Sequence, residues 1–349
     1  MTVNVLVTGG AGYIGSHACK ALALAGYRPV AIDNLSTGHR WAAKWGPLIE
    51  GDLADGDLML DAMRSHRIEA VLHFAASAYV GESMTDPAKY FRNNVGNTLN
   101  LLETMRTAGV ARMVFSSTCS TYGIPETVPI GEDHPQHPVN PYGESKLMVE
   151  RMLAWMGRAH GLQWMSLRYF NAAGADPDGE IGEDHNPETH LIPLAIETAM
   201  GRRPELSIFG TDYATPDGTA VRDYIHVSDL AQAHVLALQY LEAGGASAAL
   251  NLGTGIGYSV REVVAAVEGV GGRPVAVRYA PRRAGDPPAL FAAAQHAREL
   301  LGWAPSHSSL REIVDTAWRW HRQHLARDLP DVLTAKVPSG RVAATTPGG

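Results

Sequence analysis

Short runs of β-branched and apolar residues recur through the first half of the chain, separated by stretches with helical spacing. Residues 3–8 form one such run and end in glycines; residues 13–25 follow with Ile14, Ala18, Leu22 and Ala25 on one helix face. Further strand-like runs lie at 29–33, 48–52, 70–75, 112–118 and 163–168, with helix-like stretches at 53–65, 87–108 and 141–160. Strands alternating with helices predict right-handed crossovers and a parallel sheet covered on both faces. The expected fold class is therefore α/β: a Rossmann-like doubly wound parallel sheet with a smaller mixed α/β lobe for substrate.

The alternation breaks after Asn171. Gly and Pro cluster at 172–186, 210–218 and 281–288, as expected of a lobe built from insertions. Residues 224–240 read as a strand running into a helix and 249–253 as another strand, both candidates to return to the first sheet. The expected division is a nucleotide-binding domain over 1–170, with return segments near 222–253, a substrate lobe over 171–326, and a loose tail over 327–349.

Composition narrows the partners. The chain has 349 residues, 45% of them hydrophobic, which is ample for a large core. A net charge of −7 gives no general attraction to nucleic acid or to an anionic membrane surface. An anionic ligand must be held by local cations or backbone amides. Cys19 and Cys119 are the two cysteines, without CxxC spacing, so neither a disulfide framework nor a zinc knuckle is expected. No apolar run approaches the length of a membrane span, and the first residues do not read as a secretion signal. A cytoplasmic location is expected.

The first strand runs into Gly9, Gly12 and Gly15, spaced G-x-x-G-x-x-G, and a helix follows. Such a turn lets a diphosphate approach the backbone and meet the free N–H groups of a helix N-terminus. In a generic loop the same glycines would mean only flexibility; the strand before and the helix after favour the dinucleotide. Asp33 ends the second strand, where a carboxylate can accept hydrogen bonds from an adenosine ribose. Its charge favours NAD over NADP, because a 2′-phosphate would face a like charge; Arg40 is the nearest cation downstream. Asp52 ends the third strand similarly, with contact to the adenine edge and a plain turn both open.

Tyr142 and Lys146 form a Y-x-x-x-K pair behind Asn140, a suitable cap, and Pro141, a suitable first helical residue. They stand one turn apart on one face. A free tyrosine, with a pKa of about 10, is a poor base at neutral pH, and a nearby ammonium favours its phenolate. The same spacing also occurs as an ordinary surface pair; behind the glycine fingerprint the catalytic reading is stronger. Thr118 ends a strand where a hydroxyl faces the ligand crevice, whereas Ser116 suits a local backbone bond. His185 and His190, near Glu183 and Asp184, lie in a Pro-rich loop without a helical ligand pair, so no metal is expected. His226 is expected to close a buried polar network.

With GGAGYIG, SSTCSTYG and PYGESK in this order, the chain resembles the extended short-chain dehydrogenases/reductases. The segments HFAASAYVGES, YFRNNVGNTLNLLE, LRYFNAAGADPDGEIGED, GTAVRDYIHVSDL, LNLGTG and APRRAGD narrow the resemblance to the UDP-glucose 4-epimerase family, over about residues 3–320. The resemblance implies an isomerase that interconverts UDP-glucose and UDP-galactose through a 4-keto sugar on bound NAD, working as a homodimer. It implies Thr118, Tyr142 and Lys146 as catalytic residues. It implies cofactor contacts at Gly9, Gly12, Tyr13, Ile14, Gly15, Asp33, Asn34, Asp52, Leu53, Phe74, Ala75, Asn94, Tyr142, Lys146 and Tyr169. Substrate contacts are implied at Thr118, Tyr142, Asn171, His190, Leu191, Arg222, Arg283 and Asp286.

The chain departs from the familiar family pattern at four places: Ala78 for a lysine, His190 for an asparagine, Leu290 for a tyrosine and Ala293 for an aspartate. Leu290 leaves more room than tyrosine, which makes UDP-N-acetylhexosamines one substrate alternative; FAASAYVGES and SSTCSTYG resemble epimerases acting on UDP-pentoses, which makes these the other. Two rival functions are weaker. A nucleotide-sugar dehydratase needs a further acid and base, and Cys119 and Ser120 follow Thr118 where carboxylates would be expected. A non-catalytic NAD-binding protein would not need Tyr142, Lys146 and Thr118 together.

Overall fold

The computed structural model describes residues 2–283 and 286–327; the expected tail from 328 onward lies outside the described residues. Along the first half run β1 (Asn4–Thr8), α1 (Tyr13–Leu24), β2 (Arg28–Asp33), β3 (Leu48–Glu50), α2 (Gly56–Ser65) and β4 (Ala70–His73). Then come α3 (Val80–Thr85), α4 (Pro87–Tyr90), α5 (Asn97–Ala108), β5 (Arg112–Thr118), α6 (Pro141–His160) and β6 (Gln163–Tyr169). The second half holds β7 (Asn171–Ala173), α7 (Leu191–Ala199), β8 (Leu206–Phe209), β9 (Val221–His226), α8 (Val227–Glu242) and β10 (Ala248–Leu252). It ends with β11 (Gly257–Ser259), α9 (Val260–Gly271), β12 (Val277–Ala280), β13 (Ala289–Leu290), α10 (Gln295–Leu301) and α11 (Leu310–Arg327).

Seven parallel strands form the main sheet in the order β3-β2-β1-β4-β5-β6-β10. Its strands are apolar on both faces, as a sheet covered on two sides requires. Val5 and Val7 of β1 join one core with Ala18 and Leu22 of α1 and Leu230 and Leu238 of α8. Leu6, between them, joins the opposite core with Met59 of α2, Leu101 of α5 and Val149 of α6. This period of two is the pleat itself. The chain leaves β1 toward β2 and returns through β4 on the other side, which makes the carboxyl ends of β1 and β4 the switch point where α/β sheets bind ligands.

The second-half segments divide differently from the sequence expectation. β10 does enter the main sheet beside β6. β9 does not: it pairs with β7, β11 and β13 in a small separate sheet, and only its following helix α8 covers the main sheet. The stretch expected as one helix over 87–108 is broken in the middle by a π-helical segment, Phe91–Gly96, between α4 and α5. A π-turn inserts one residue into the helix and shifts the faces on either side, a distortion common near functional sites. A third core under the small sheet joins Ile192 and Ile196 of α7, Val263 and Val267 of α9, and Ile313 and Val314 of α11.

Candidate active site

Three glycines close the turn between β1 and α1, each for its own reason. Gly9 takes a left-handed φ of 70°, and a methyl there would stand 2.8 Å from the backbone nitrogen of Ala75. At Gly15 a methyl would lie 2.1 Å from the carbonyl oxygen of Gly9, so α1 approaches β1 only with glycine here. A methyl at Gly12 would meet nothing nearer than that same oxygen, at 3.3 Å. Gly12 is the N-cap of α1, without a side-chain cap. The helix therefore presents its positive end uncapped to the switch point, as a diphosphate requires.

Asp33 is buried at the end of β2, and its carboxylate accepts the amides of Ala11 at 3.0 Å and Leu35 at 2.8 Å. Burial raises its pKa and these two bonds oppose that. Asn34 donates to Asp52 at 2.7 Å, and Asp52 also accepts Asn97 at 3.2 Å. Leu53 is a core residue whose carbonyl accepts Asn100 at 2.6 Å, so its apolar side chain belongs to packing. Phe74 and Ala75 follow β4 with their amides on the Thr8 carbonyl; the Phe74 ring packs against His234 at 4.6 Å. Beneath them His73 bridges Thr8 and Thr98 at 2.6 and 2.8 Å. The helix uncapped at Gly12 and the Asp33 carboxylate together fit an adenosine dinucleotide.

α6 begins at Pro141, and Asn140 caps it by accepting the Gly143 amide at 2.8 Å. Gly143 matters for position: a methyl there would lie 2.4 Å from the Ser120 carbonyl oxygen. This close approach brings Tyr142 beside Thr118, whose hydroxyl is near enough to favour the phenolate. One turn on, Lys146 is buried, with Nζ donating to the Ser116 carbonyl at 2.8 Å. Nζ also stands 4.8 Å from the Phe115 ring centre and 6.0 Å from that of Tyr142. The Ser116 hydroxyl bonds to the Tyr169 phenol, a cross-strand contact rather than the local backbone bond expected.

Burial pushes the Tyr142 phenol up to about 12, with the Thr118 hydroxyl pulling the other way. Burial also lowers Lys146 to about 7, against the attraction of Glu150. Burial thus disfavours charge on each group alone, and the pair gains from opposite charges together.

Asn94 turns out to be a tie. On the π-helical segment, its side-chain oxygen accepts the Ser77 amide at 2.8 Å, and its nitrogen donates to Ser77 O and Ser145 Oγ, both at 3.0 Å. It links the loop after β4 to the face of α6 that carries Tyr142. Sequence reading also missed Glu150 and Arg168, a buried ion pair at 2.6 Å that joins α6 to β6 and accepts Ser117 at 2.5 Å. Their spacing on two separate elements leaves no motif to find.

On the far side, Asn171 opens β7 and Arg222 lies on β9, paired with Asp286. Arg283 lies over the Phe209 ring at 4.0 Å. His190 and Leu191 start α7, and the His190 ring meets Glu183. Tyr13 donates from its hydroxyl to the Gly174 carbonyl at 2.7 Å, joining α1 to the lobe, while Ile14 packs in the first core. His226 is buried and bonds to Thr316 at 3.0 Å.

A parallel sheet with a dinucleotide turn at its switch point and a Thr-Tyr-Lys constellation beside it defines a nucleotide-dependent hydride-transfer fold. The chain belongs to the NAD dependent epimerase/dehydratase family, whose signature it matches over residues 5–253. It is 54% identical over 318 residues to the UDP-glucose 4-epimerase of Rhizobium leguminosarum bv. trifolii, covering 91% of this chain and 97% of that one. The crystal structure of UDP-glucose 4-epimerase from Brucella ovis in complex with NAD superposes with a TM-score of 0.90 at 54% identity, covering 91% and 98% of the two chains. A UDP-glucose-4-epimerase from Stenotrophomonas maltophila with bound NAD and formylated UDP-arabinopyranose superposes with a TM-score of 0.90 at 42% identity, covering 93% and 99%.

Proposed function

We propose that this protein is an NAD-dependent isomerase that interconverts UDP-glucose and UDP-galactose by inverting C4. The observation that carries the reading is the joining of Thr118, Tyr142 and Lys146 across β5 and α6, beside the uncapped α1. NAD, when bound, supplies a reversible hydride acceptor for C4 and a positive charge that favours phenolate at Tyr142.

The residues divide the remaining work. Tyr142 removes the proton from the O4 hydroxyl as C4 is oxidised and returns it to O4 once the keto sugar has turned, when hydride would come back to the opposite face of C4. The Thr118 hydroxyl favours the phenolate and steadies it beside the reacting oxygen. Lys146, held by Ser116, favours phenolate through its charge. Gly9, Gly12 and Gly15 shape the diphosphate turn, with Tyr13 and Ile14 at the helix start. Asp33 accepts the adenosine ribose, with Asn34, Asp52 and the Leu53 backbone bordering the adenine. Phe74, Ala75, Asn94 and Tyr169 hold the nicotinamide side, Asn94 through its ties to Ser77 and Ser145. Arg222 and Arg283 suit the substrate diphosphate because a guanidinium fork binds phosphate oxygens at two points. Asn171, His190, Leu191 and Asp286 border the same ligand. The main sheet over 1–170 with β10 serves the cofactor, and the lobe over 171–326 serves the sugar nucleotide.

A UDP-pentose is the second reading, favoured by the neighbour solved with formylated UDP-arabinopyranose. Among the described residues no helix is long and apolar enough to cross a membrane; the working form proposed is a cytoplasmic homodimer. Leu99 on α5 and Met148 and Trp155 on α6 expose apolar surface that pairing of these helices would cover. Sedimentation would read the dimer directly.

The test offers UDP-glucose, UDP-galactose, UDP-xylose and UDP-N-acetylglucosamine and separates the C4 epimers. Turnover of the hexose pair is expected, with Tyr142→Phe slower by at least about 100-fold. Absence of epimers from every sugar, or full activity of the Phe variant, would overturn the proposal.

A further inference from the structure

The loop before α7 gathers Glu183, His185, Glu188 and His190, with one ligand atom of each inside a span of 4.8 Å. Asp184, which stands next to them in sequence, turns away to His39 and His324. The Glu183 and Glu188 side chains are only 4% and 6% exposed, so two carboxylates share a nearly dry space. Both imidazoles aim the same atom, Nδ1, at one oxygen, Glu183 Oε1, at 3.2 Å from His185 and 2.5 Å from His190. At buried Glu183 Oε1 and His185 Nδ1 these close approaches lack the alignment of good hydrogen bonds and stand as ion-pair contacts. Glu188 Oε1 is already used by the amides of Thr189 and His190, at 2.6 and 2.7 Å, which leaves Oε2 directed at His185.

We propose that Glu183, His185, Glu188 and His190 form a binding site for a divalent transition-metal ion of the zinc class. Two buried carboxylates need two positive charges nearby, and a dication between neutral imidazoles supplies both at once. Two imidazole nitrogens with two carboxylate oxygens make a tetrahedral donor set for zinc, at about 2.0–2.2 Å per bond. The donors need only small movements from their present span. This reverses the sequence expectation of no metal, which rested on the lack of a helical ligand pair: the loop fold, not a helix, brings the four together.

The ion acts as a clasp rather than a reagent. His185 packs edge-on against Tyr13 of α1 at 6.1 Å and against Tyr79 at 6.3 Å. Fixing it ties the start of α7 to the cofactor helix and to the loop after β4. The clasp's value for the substrate rests on the proposed function; ion binding itself does not.

The full chain, stripped with a chelator, is titrated with Zn²⁺ by calorimetry and with Co²⁺ by visible absorption. One ion per chain is expected, with the absorption of four-coordinate cobalt. His185→Asn and Glu188→Gln, each checked by its melting curve, are expected to weaken binding at least about 100-fold. No stoichiometric ion would overturn the site, as would variants that bind as tightly as the parent. So would His185 and His190 remaining imidazolium by nuclear magnetic resonance under excess Zn²⁺, which would mean that two protons fill the place of the ion. Epimer formation by the same samples reports separately on the proposed function.

Discussion

Lys146 donates to the main-chain oxygen of Ser116 at 2.8 Å, so the ammonium is anchored to the strand that carries Thr118 and not to the Tyr142 hydroxyl. The lysine therefore acts on the phenol through its charge at short range, and β5 fixes where that charge sits. The Ser116 side chain meanwhile holds Tyr169 on β6, which makes one residue the hinge of two site contacts.

The Lys146 amine gives a stability signature. Burial lowers it from its ordinary 10.5 to about 7, so the unfolded chain binds the extra proton between these two values. Stability therefore rises with pH across that window and carries the full cost of a buried charge below it. Lys146→Met removes the cost. The variant is expected to gain on the parent most at pH 6, with the gap closing toward pH 10 in paired urea melts. An equal gap at both ends would contradict the assignment.

Gly12 and Gly15 should separate binding from folding. A methyl at Gly15 collides with the Gly9 carbonyl at 2.1 Å, and Gly15→Ala is expected to cost about 1–3 kcal/mol of stability. A methyl at Gly12 is far less crowded: its nearest neighbour, the Gly9 carbonyl oxygen at 3.3 Å, need give only a few tenths of an ångström, yet the methyl sits where a diphosphate reaches α1. Gly12→Ala should melt within about 1 kcal/mol of the parent and lose NAD affinity by roughly tenfold or more. Cofactor fluorescence and thermal melts read the two effects.

Asp33→Asn keeps an oxygen for the Ala11 or Leu35 amide but drops the charge. The affinity ratio of NADP to NAD is expected to rise by about tenfold or more, since the like charge facing a 2′-phosphate is gone. Titration with both cofactors measures the ratio, and an unchanged value would assign Asp33 to turn geometry alone.

Arg168 and Glu150 test the frame behind the site. Arg168→Met strands a buried carboxylate and is expected to cost about 3–5 kcal/mol in chemical denaturation. Adding Glu150→Leu should restore part of that loss, because the uncompensated charge leaves with it. Tyr122 and Ser117 lose partners in the double variant, so recovery is expected to be incomplete.

Much was legible along the chain because its signals are local. The strand-glycine-helix order around Gly9, Gly12 and Gly15, the cap and first turn at Asn140 and Pro141, and the single turn from Tyr142 to Lys146 all depend on neighbours in sequence. The nucleotide-binding sheet follows from alternating periodicity by the same logic. The separate sheet around β9 was not legible, since residues 221–226 read as a buried strand whichever sheet receives them. The π-helical segment at Phe91–Gly96 was hidden because helix periodicity blurs across one inserted residue.

The sequence by itself determined the covalent spacing: which glycines bracket the turn, which tyrosine stands four residues before which lysine, and that carboxylates are missing after Thr118. Tertiary structure decided what those groups touch. It set Gly143 against Ser120, Asn94 between Ser77 and Ser145, and Glu150 against Arg168, contacts spanning 23, 17 to 51, and 18 residues. It also folded Glu183, His185, Glu188 and His190 onto one point. Side-chain chemistry is written residue by residue, but burial, and with it charge and proton affinity, depends on which distant segments close over each group.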